Sequence, residues 1–262
     1  MTSIATARPS LTSNDSAVLQ ALFDAESSPS SGVTINSSLT SWPTSLNISE
    51  TDLASLKQRE TDIIRRLQSD KSPSEDTLKS ALSDFDSLIT KHPTYPSAYT
   101  NRAQTLRLLV DLIYNTTEAN PADTELADAA LFAPQTSQLC SRIFADLGQA
   151  ITLATPASPA DAVSTAQARL LADAHTHRGY LLLKAARAKK GLVGGDETGP
   201  ERLRELSADQ LEEMASRDFF FGGRYGNKVA QQLAVQTNPY AKMCGAIVKE
   251  AMRKEMEGDE KK

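Results

Sequence analysis

Ala98-Tyr99-Thr100-Asn101-Arg102-Ala103, followed by Leu106, Leu108 and Leu109, is the stretch whose reading decides the fold. Tyr99, Ala103 and Leu106 stand four and three residues apart, the spacing that brings side chains onto one helical face. The alanine lets a neighbouring helix come close, while the tyrosine and leucine fill the space around it. Pro93-Thr94-Tyr95-Pro96 lies just upstream. It ends one helix and starts the next, because proline breaks a helix interior but suits a first turn. Before it comes Ala81-Leu82-Ser83-Asp84-Phe85, a second apolar helical pattern. The unit is a pair of helices, each with a side that needs cover.

An alanine, an aromatic residue four places on and a proline about eight residues later form the second-helix half of a tetratricopeptide repeat. That half returns as Ile143-Phe144-Ala145-Asp146-Leu147, leading to Ala150-Ile151 and Pro156, and again as Ala215-Ser216-Arg217-Asp218-Phe219. The first-helix half returns as His175-Thr176-His177-Arg178-Gly179, with Leu182 where Leu106 stood. Asp84, Asp146 and Asp218 are 62 and 72 residues apart, whereas the repeat length of this class is roughly 34. The excess falls between helices. The expected architecture is all-α: a right-handed α-solenoid of about three tetratricopeptide hairpins with enlarged loops and a C-terminal capping helix. The repeats are placed at 50–93, 96–156 and 159–222, with capping helices at 226–256.

Composition agrees with an all-helical chain of 262 residues that is 40% hydrophobic and only 5% aromatic. A formal charge of −5 argues against a nucleic-acid footprint, which needs a basic face. No apolar run reaches the roughly 18–20 residues of a membrane span, and the first residues lack the charged and apolar regions of a secretory signal. Cys140 and Cys244 are expected to be reduced, buried thiols rather than a disulfide. The chain is therefore expected in the cytoplasm, with the sequons at Asn14, Asn36, Asn47 and Asn115 incidental.

Residues 1–26 carry a short helix, capped at Asn14-Asp15-Ser16, whose Val18, Leu19, Leu22 and Phe23 form an apolar side that must dock. Residues 27–49 are a Ser/Thr-rich linker with little surface to bury, in which Trp42 is the one large anchor. Glu50–Gln68 is the first helix of repeat one, with Leu53, Leu56, Ile63, Ile64 and Leu67 as its apolar set; its register is not readable. Ser74 caps the following helix. Asn115–Asp123 interrupts repeat two, and Ser158-Pro159 opens a long helical pattern reaching Lys190. Gly191–Pro200 reads as a flexible loop. Gly222-Gly223 and Gly226 are expected to stop a helix by adopting positive φ. Asn238-Pro239 starts a last helix with Tyr240, Met243, Ile247, Val248 and Met252, and 257–262 is a charged tail.

Both ends of the chain carry a resemblance. Asn14-Asp15-x-Ala17-Val18-Leu19-Gln20-Ala21-x-Phe23 resembles the opening of the tetratricopeptide repeat protein 36 family. Ala230-x-Gln232-Leu233 with Asn238-Pro239-Tyr240-Ala241-x-x-Cys244 resembles its close. Ala98-Tyr99-x-Asn101-Arg102-Ala103-Gln104 and Asp218-Phe219 match between them. The serine-rich linker and long hairpin loops depart from the pattern. The resemblance implies a non-enzymatic binding protein, tied either to an Hsp70-type chaperone or to tyrosine catabolism through protection of 4-hydroxyphenylpyruvate dioxygenase.

Catalytic constellations are not apparent. His175-x-His177 are two residues apart, which on a helix points them to different faces, whereas ligand pairs need three or four. Gly191–Gly199 lacks the Lys-Ser/Thr of a phosphate loop. No catalytic residue, metal or cofactor is assigned. Arg102 and Arg178 occupy equivalent places, and each repeat has an aspartate before its second-helix anchor. Arg102 is expected to pair with Asp84 or Asp146, and Arg178 with Asp146 or Asp218, as structural ion pairs that set helix register.

Partner contacts belong on the other side of the first helices, which line the concave groove of such stacks. Repeat two offers Thr100, Asn101, Gln104, Arg107 and Leu108; repeat three offers Asp173, Thr176, His177, Tyr180 and Lys184. The expected function is an adaptor that holds a polypeptide there. One alternative is an Hsp70/Hsp90-tail-binding co-chaperone, whose two-carboxylate clamp grips a Glu-Glu-Val-Asp tail. Asn101 fits that clamp, but Asp173 and His177 stand where basic residues belong. A second alternative is a self-associating structural protein.

Overall fold

The structure is a computed structural model that describes residues 33–69, 71–117, 133, 135–191 and 200–238. The expected docking helix at Val18–Phe23, most of the Gly191–Pro200 loop, the Tyr240–Met252 helix and the charged tail lie outside the described residues, as does the expected Asn115–Asp123 interruption beyond Thr117, up to which the helix continues.

Among the described residues eight helices follow one another: α1 (Glu50–Gln68), α2 (Glu75–Lys91), α3 (Pro96–Thr117), α4 (Ser137–Ala154), α5 (Thr165–Gly191), the short α6 (Glu201–Arg204), α7 (Ala208–Arg224) and α8 (Lys228–Thr237). A 3₁₀ turn at Thr44–Leu46 precedes them. The chain is all-α, and among the described residues the only strand-like pairing is an isolated bridge between Ile35 and Val163.

Local chemistry accounts for the helix starts. Ser49, Ser74 and Ser207 each sit at an N-cap and accept from the backbone N–H three residues on. Ser207 and Gln210 complete a reciprocal capping box. Ser164 and Gln167 make the same exchange at the head of α5. The expected start at Ser158-Pro159 is therefore displaced to Thr165. Residues before Ser164 are drawn away because Val163 exchanges two backbone hydrogen bonds of 2.9 Å with Thr34 and Asn36.

Helices pack in chain order: α1 on α2, α2 on α3, α3 on α4, α4 on α5, α5 on α7 and α7 on α8. The first helices α3 and α5 also touch. Three hairpins, α1/α2, α3/α4 and α5/α7, thus each pack on the next, with α8 against the last. Their shared core includes Phe85, Ala98, Ala103, Leu106, Ile143, Leu147, Leu171 and Phe219, all almost wholly buried. Each large side chain there contributes about 1.5–3 kcal/mol by leaving water.

Glycine placement differs from expectation. Gly222 and Gly223 do not stop α7; they lie buried inside it, and the positive φ falls at Gly226 (103°). Their role is close approach: a Cβ on Gly222 would lie 2.7 Å from Thr176 Oγ1 and 3.1 Å from Ala230 Cβ. Gly179 meets α7 in the same way, with Phe219 ring carbons at 3.0 Å.

The described part of the Ser/Thr-rich stretch is docked. Besides the bridge to Val163, Ser164 Oγ donates to the Ser41 carbonyl (2.7 Å) and Thr94 Oγ1 to the Leu46 carbonyl (3.1 Å). Trp42 is 7% exposed and packs edge-on against Tyr95, with ring centroids 6.1 Å apart. Residues 33–49 consequently strap the start of α5 to the α2–α3 turn.

Candidate functional site

The first helices of the three hairpins converge on one concavity. A cavity of about 310 Å³ is lined from α1 by Lys57 and Glu60, from α3 by Thr100, Asn101 and Gln104, and from α5 by Arg169, Asp173 and His177. Trp42 of the strap and Tyr95 complete the wall. Five of the ten groove residues inferred from sequence meet here: Thr100, Asn101, Gln104, Asp173 and His177.

Glu60 organises this site. Its side chain accepts from Tyr95 OH (2.8 Å), Ser97 Oγ (2.6 Å) and Asn101 Nδ2. A buried carboxylate is tolerated only with such partners. Burial first, and the Glu60 charge second, push the Tyr95 phenol well above its ordinary value, so it stays a donor. Burial likewise raises the Asp173 carboxyl, against the pull of Arg169. Burial, aided by Arg107, brings His177 down to about 4, so its ring is neutral near pH 7. Two polar atoms at this cavity, His177 Nε2 and Trp42 Nε1, are closed from solvent and have no hydrogen-bond partner. Each unsatisfied atom costs about 1–3 kcal/mol.

The other groove candidates divide. Thr176 does not face the concavity. Its hydroxyl donates to the Ala172 carbonyl (2.6 Å) and abuts Gly222, because its position is turned toward α7. Arg107, Leu108, Tyr180 and Lys184 lie further along α3 and α5, outside the cavity. Burial raises the half-buried Asp111 carboxyl, against the pull of Arg107 and then Lys184. Leu108 and Tyr180 are 43% and 44% exposed, and Tyr180 stands edge-on to Phe219.

Away from the cavity, Arg102 and Arg178 each join the two helices of one hairpin. Arg102 grips Asp146 with two bonds of 2.8 and 2.6 Å, and also donates at 2.6 Å to Asp86, across to the preceding hairpin. Arg178 holds Asp218 with two bonds of 2.7 Å, and His175 Nδ1 lies 2.8 Å from the same carboxylate. Burial alone would raise Asp218. The hydrogen bonds from Arg178 and then His175 outweigh it and hold the carboxyl below its usual range. Asp84 corrects the sequence reading: it pairs with Arg66 of α1, not with Arg102. An aspartate on a second helix reaches the arginine of its own first helix, and in repeat one that arginine is Arg66. This equivalence supplies the missing register. Leu67 then stands where Ala103 and Gly179 stand, and the Arg66–Asp84 pair is half exposed.

His175 and His177 face opposite sides of α5, one toward Asp218 and one into the groove. Among the described residues no group of three His, Cys, Asp or Glu is placed to hold a metal ion, and no helix is long and apolar enough to cross a membrane. Sequence reasoning missed Glu60, Lys57, Tyr95 and Arg169. A lone acidic residue at an otherwise apolar helical position, Leu56-x-x-x-Glu60-x-x-Ile63, was the available signal for the first.

Comparison with known proteins places the chain in a family. The "L-tyrosine degradation gene cluster protein hmgX" of Aspergillus fumigatus is 67% identical over 258 residues, covering 98% of this chain and 98% of its own. The chain belongs to the family of that protein. No family model matches it, and no solved structure does.

Proposed function

We propose that this member of the hmgX family is a non-enzymatic adaptor that serves L-tyrosine breakdown by holding a polypeptide partner along its concave face. The observation that carries this reading is the convergence of α1, α3 and α5 on one polar, partly solvent-open concavity, built from the same helices of successive hairpins. Such faces recognise extended polypeptide. The relative's name supports the link to tyrosine breakdown. The resemblance to the tetratricopeptide repeat protein 36 family points to a tyrosine-catabolic enzyme, 4-hydroxyphenylpyruvate dioxygenase, as the partner. We place the protein in the cytoplasm and assign it no cofactor.

The tail-binding co-chaperone reading is weaker because of Glu60. Asn101, the residue that would hold the partner's carboxylate, gives its amide to Glu60, and the Glu60 charge opposes a second anion nearby. Lys57 and Arg169 offer cations at the same cavity, so an Hsp70-type tail remains the competitor to test.

The experiment is co-elution of the full chain with purified 4-hydroxyphenylpyruvate dioxygenase, with wild type compared against a Gln104→Ala/Tyr180→Ala double variant. A complex that the double variant weakens at least about tenfold supports the reading. Absence of a complex, together with salt-sensitive binding of a Glu-Glu-Val-Asp peptide, would transfer the assignment to the co-chaperone.

A further inference from the structure

The groove cavity has a chemistry that a bare peptide-binding surface does not need. Among its lining residues, Trp42, 93% removed from solvent, carries an indole N–H without an acceptor. His177 carries an Nε2 atom without a partner. The two residues come from different parts of the chain, a docked loop and α5, yet border one cavity. A native fold seldom leaves two such groups together unless something else completes them.

The charges around them are balanced in number. Lys57 and Arg169 are cations, Glu60 and Asp173 anions. None of the four is tied to another by an ion pair within contact distance among the described residues. Lys57 makes only a long contact of 3.4 Å with Ser41 Oγ. Glu60 takes neutral donors alone, two of them at one oxygen, which leaves its other oxygen able to accept again. A purely anionic ligand would leave Glu60 opposed, and a purely cationic one would leave Trp42 N–H without an acceptor. A ligand carrying both charges on neighbouring atoms answers the two cations, Glu60 and both unpartnered atoms. Leu147, Leu170 and Ala174 supply apolar wall for a side chain, and about 310 Å³ is at the small end of ligand cavities.

We propose that this cavity binds a free α-amino acid, its carboxylate taken by the Trp42 N–H with Lys57 and Arg169, its ammonium by Glu60 and His177. The neutral imidazole accepts from the ammonium through Nε2. Because both inner atoms are closed from solvent, the ligand reaches them only as the 33–49 strap yields. Occupancy and strap position are therefore coupled, and an amino acid seats Trp42 more firmly against Tyr95. The site goes beyond the adaptor role, and would let that role respond to the supply of an amino acid.

Trp42 is the only tryptophan, so its emission reports this cavity directly. The full chain is titrated with L-phenylalanine and L-leucine, then with phenethylamine, 3-phenylpropanoate and N-acetyl-phenylalaninamide. The expected result is a saturable emission change with both amino acids. Each analogue lacking one charged group, and the doubly blocked amide, binds at least about tenfold more weakly. A His177→Leu variant with unchanged helical circular dichroism weakens L-phenylalanine similarly. The proposal is overturned if no amino acid binds up to about 10 mM, or if any analogue matches L-phenylalanine. Co-elution with the partner enzyme is measured separately, so failure here leaves the adaptor reading standing and the reverse holds too.

Discussion

The three equivalent aspartates make a controlled perturbation. Asp84, Asp146 and Asp218 occupy the same place in successive hairpins, but their environments differ. The Asp84 and Arg66 side chains are 44% and 53% exposed. Asp146 is 5% exposed against 14% for Arg102, and Asp218 is 6% exposed against 28% for Arg178. Replacing each by alanine removes the same atoms. At Asp84 the freed arginine is already hydrated, so the loss is about 0–1 kcal/mol. At Asp218 the change strands a guanidinium and leaves His175, 8% exposed, without its carboxylate; breaking such a pair costs about 3–5 kcal/mol. Asp146 falls at the lower end of that range, because Asp86 still holds Arg102 Nη1. With about 2–4 °C per kcal/mol for a chain near this size, Asp218→Ala lowers Tm by about 6–20 °C and Asp84→Ala by no more than about 4 °C. The assay is thermal unfolding by circular dichroism, with hydrogen exchange to confirm that the Asp218 variant opens α5 and α7 first. If Asp84→Ala falls as far as Asp218→Ala, burial is not what gives these pairs their weight, and the argument fails.

Four further outcomes follow from the same structure. His177 titrates near 6.5 unfolded and about 4 folded, so the unfolded chain binds more protons between those values; stability falls as pH drops from about 6.5 to 4, and a His177→Gln variant shows a flatter profile in urea titrations. Below that window Asp218, held under its ordinary 3.8, contributes stability present above 3.8 and lost as pH falls through its folded value; Asp218→Asn removes this last acid limb. Gly222→Ala forces a Cβ to 2.7 Å from Thr176 Oγ1 and costs about 1–3 kcal/mol, part of which Thr176→Ala restores in the double variant, measured by denaturant midpoint. Cys140 is fully buried and its thiol is pushed up to about 12 by that burial, so maleimide leaves it unlabelled until the protein is unfolded, as peptide mass spectrometry will show.

The order of helices, the cap at Ser74 and the pairing of Arg102 and Arg178 with second-helix aspartates were open to reading from the chain. Each depends on spacings of three, four or one repeat, and periodic packing writes periodic residues. Other features depend on distances between segments far apart in sequence. Trp42 sits in a stretch whose composition resembles a linker, and only its contact with Tyr95, 53 positions on, shows that it is anchored. Glu60 looks like a solvated helix residue until Tyr95, Ser97 and Asn101 are seen to close on it. Gly222 and Gly223 carry no local mark that separates a helix stop from a close contact; the neighbour Thr176, on another helix, makes the difference. Sequence by itself determined which segments are helical and which faces are apolar, since both follow from local periodicity and propensity. Tertiary structure alone decided which polar groups share the groove and which of them lack partners, because that depends on how the three first helices and the strap converge in space.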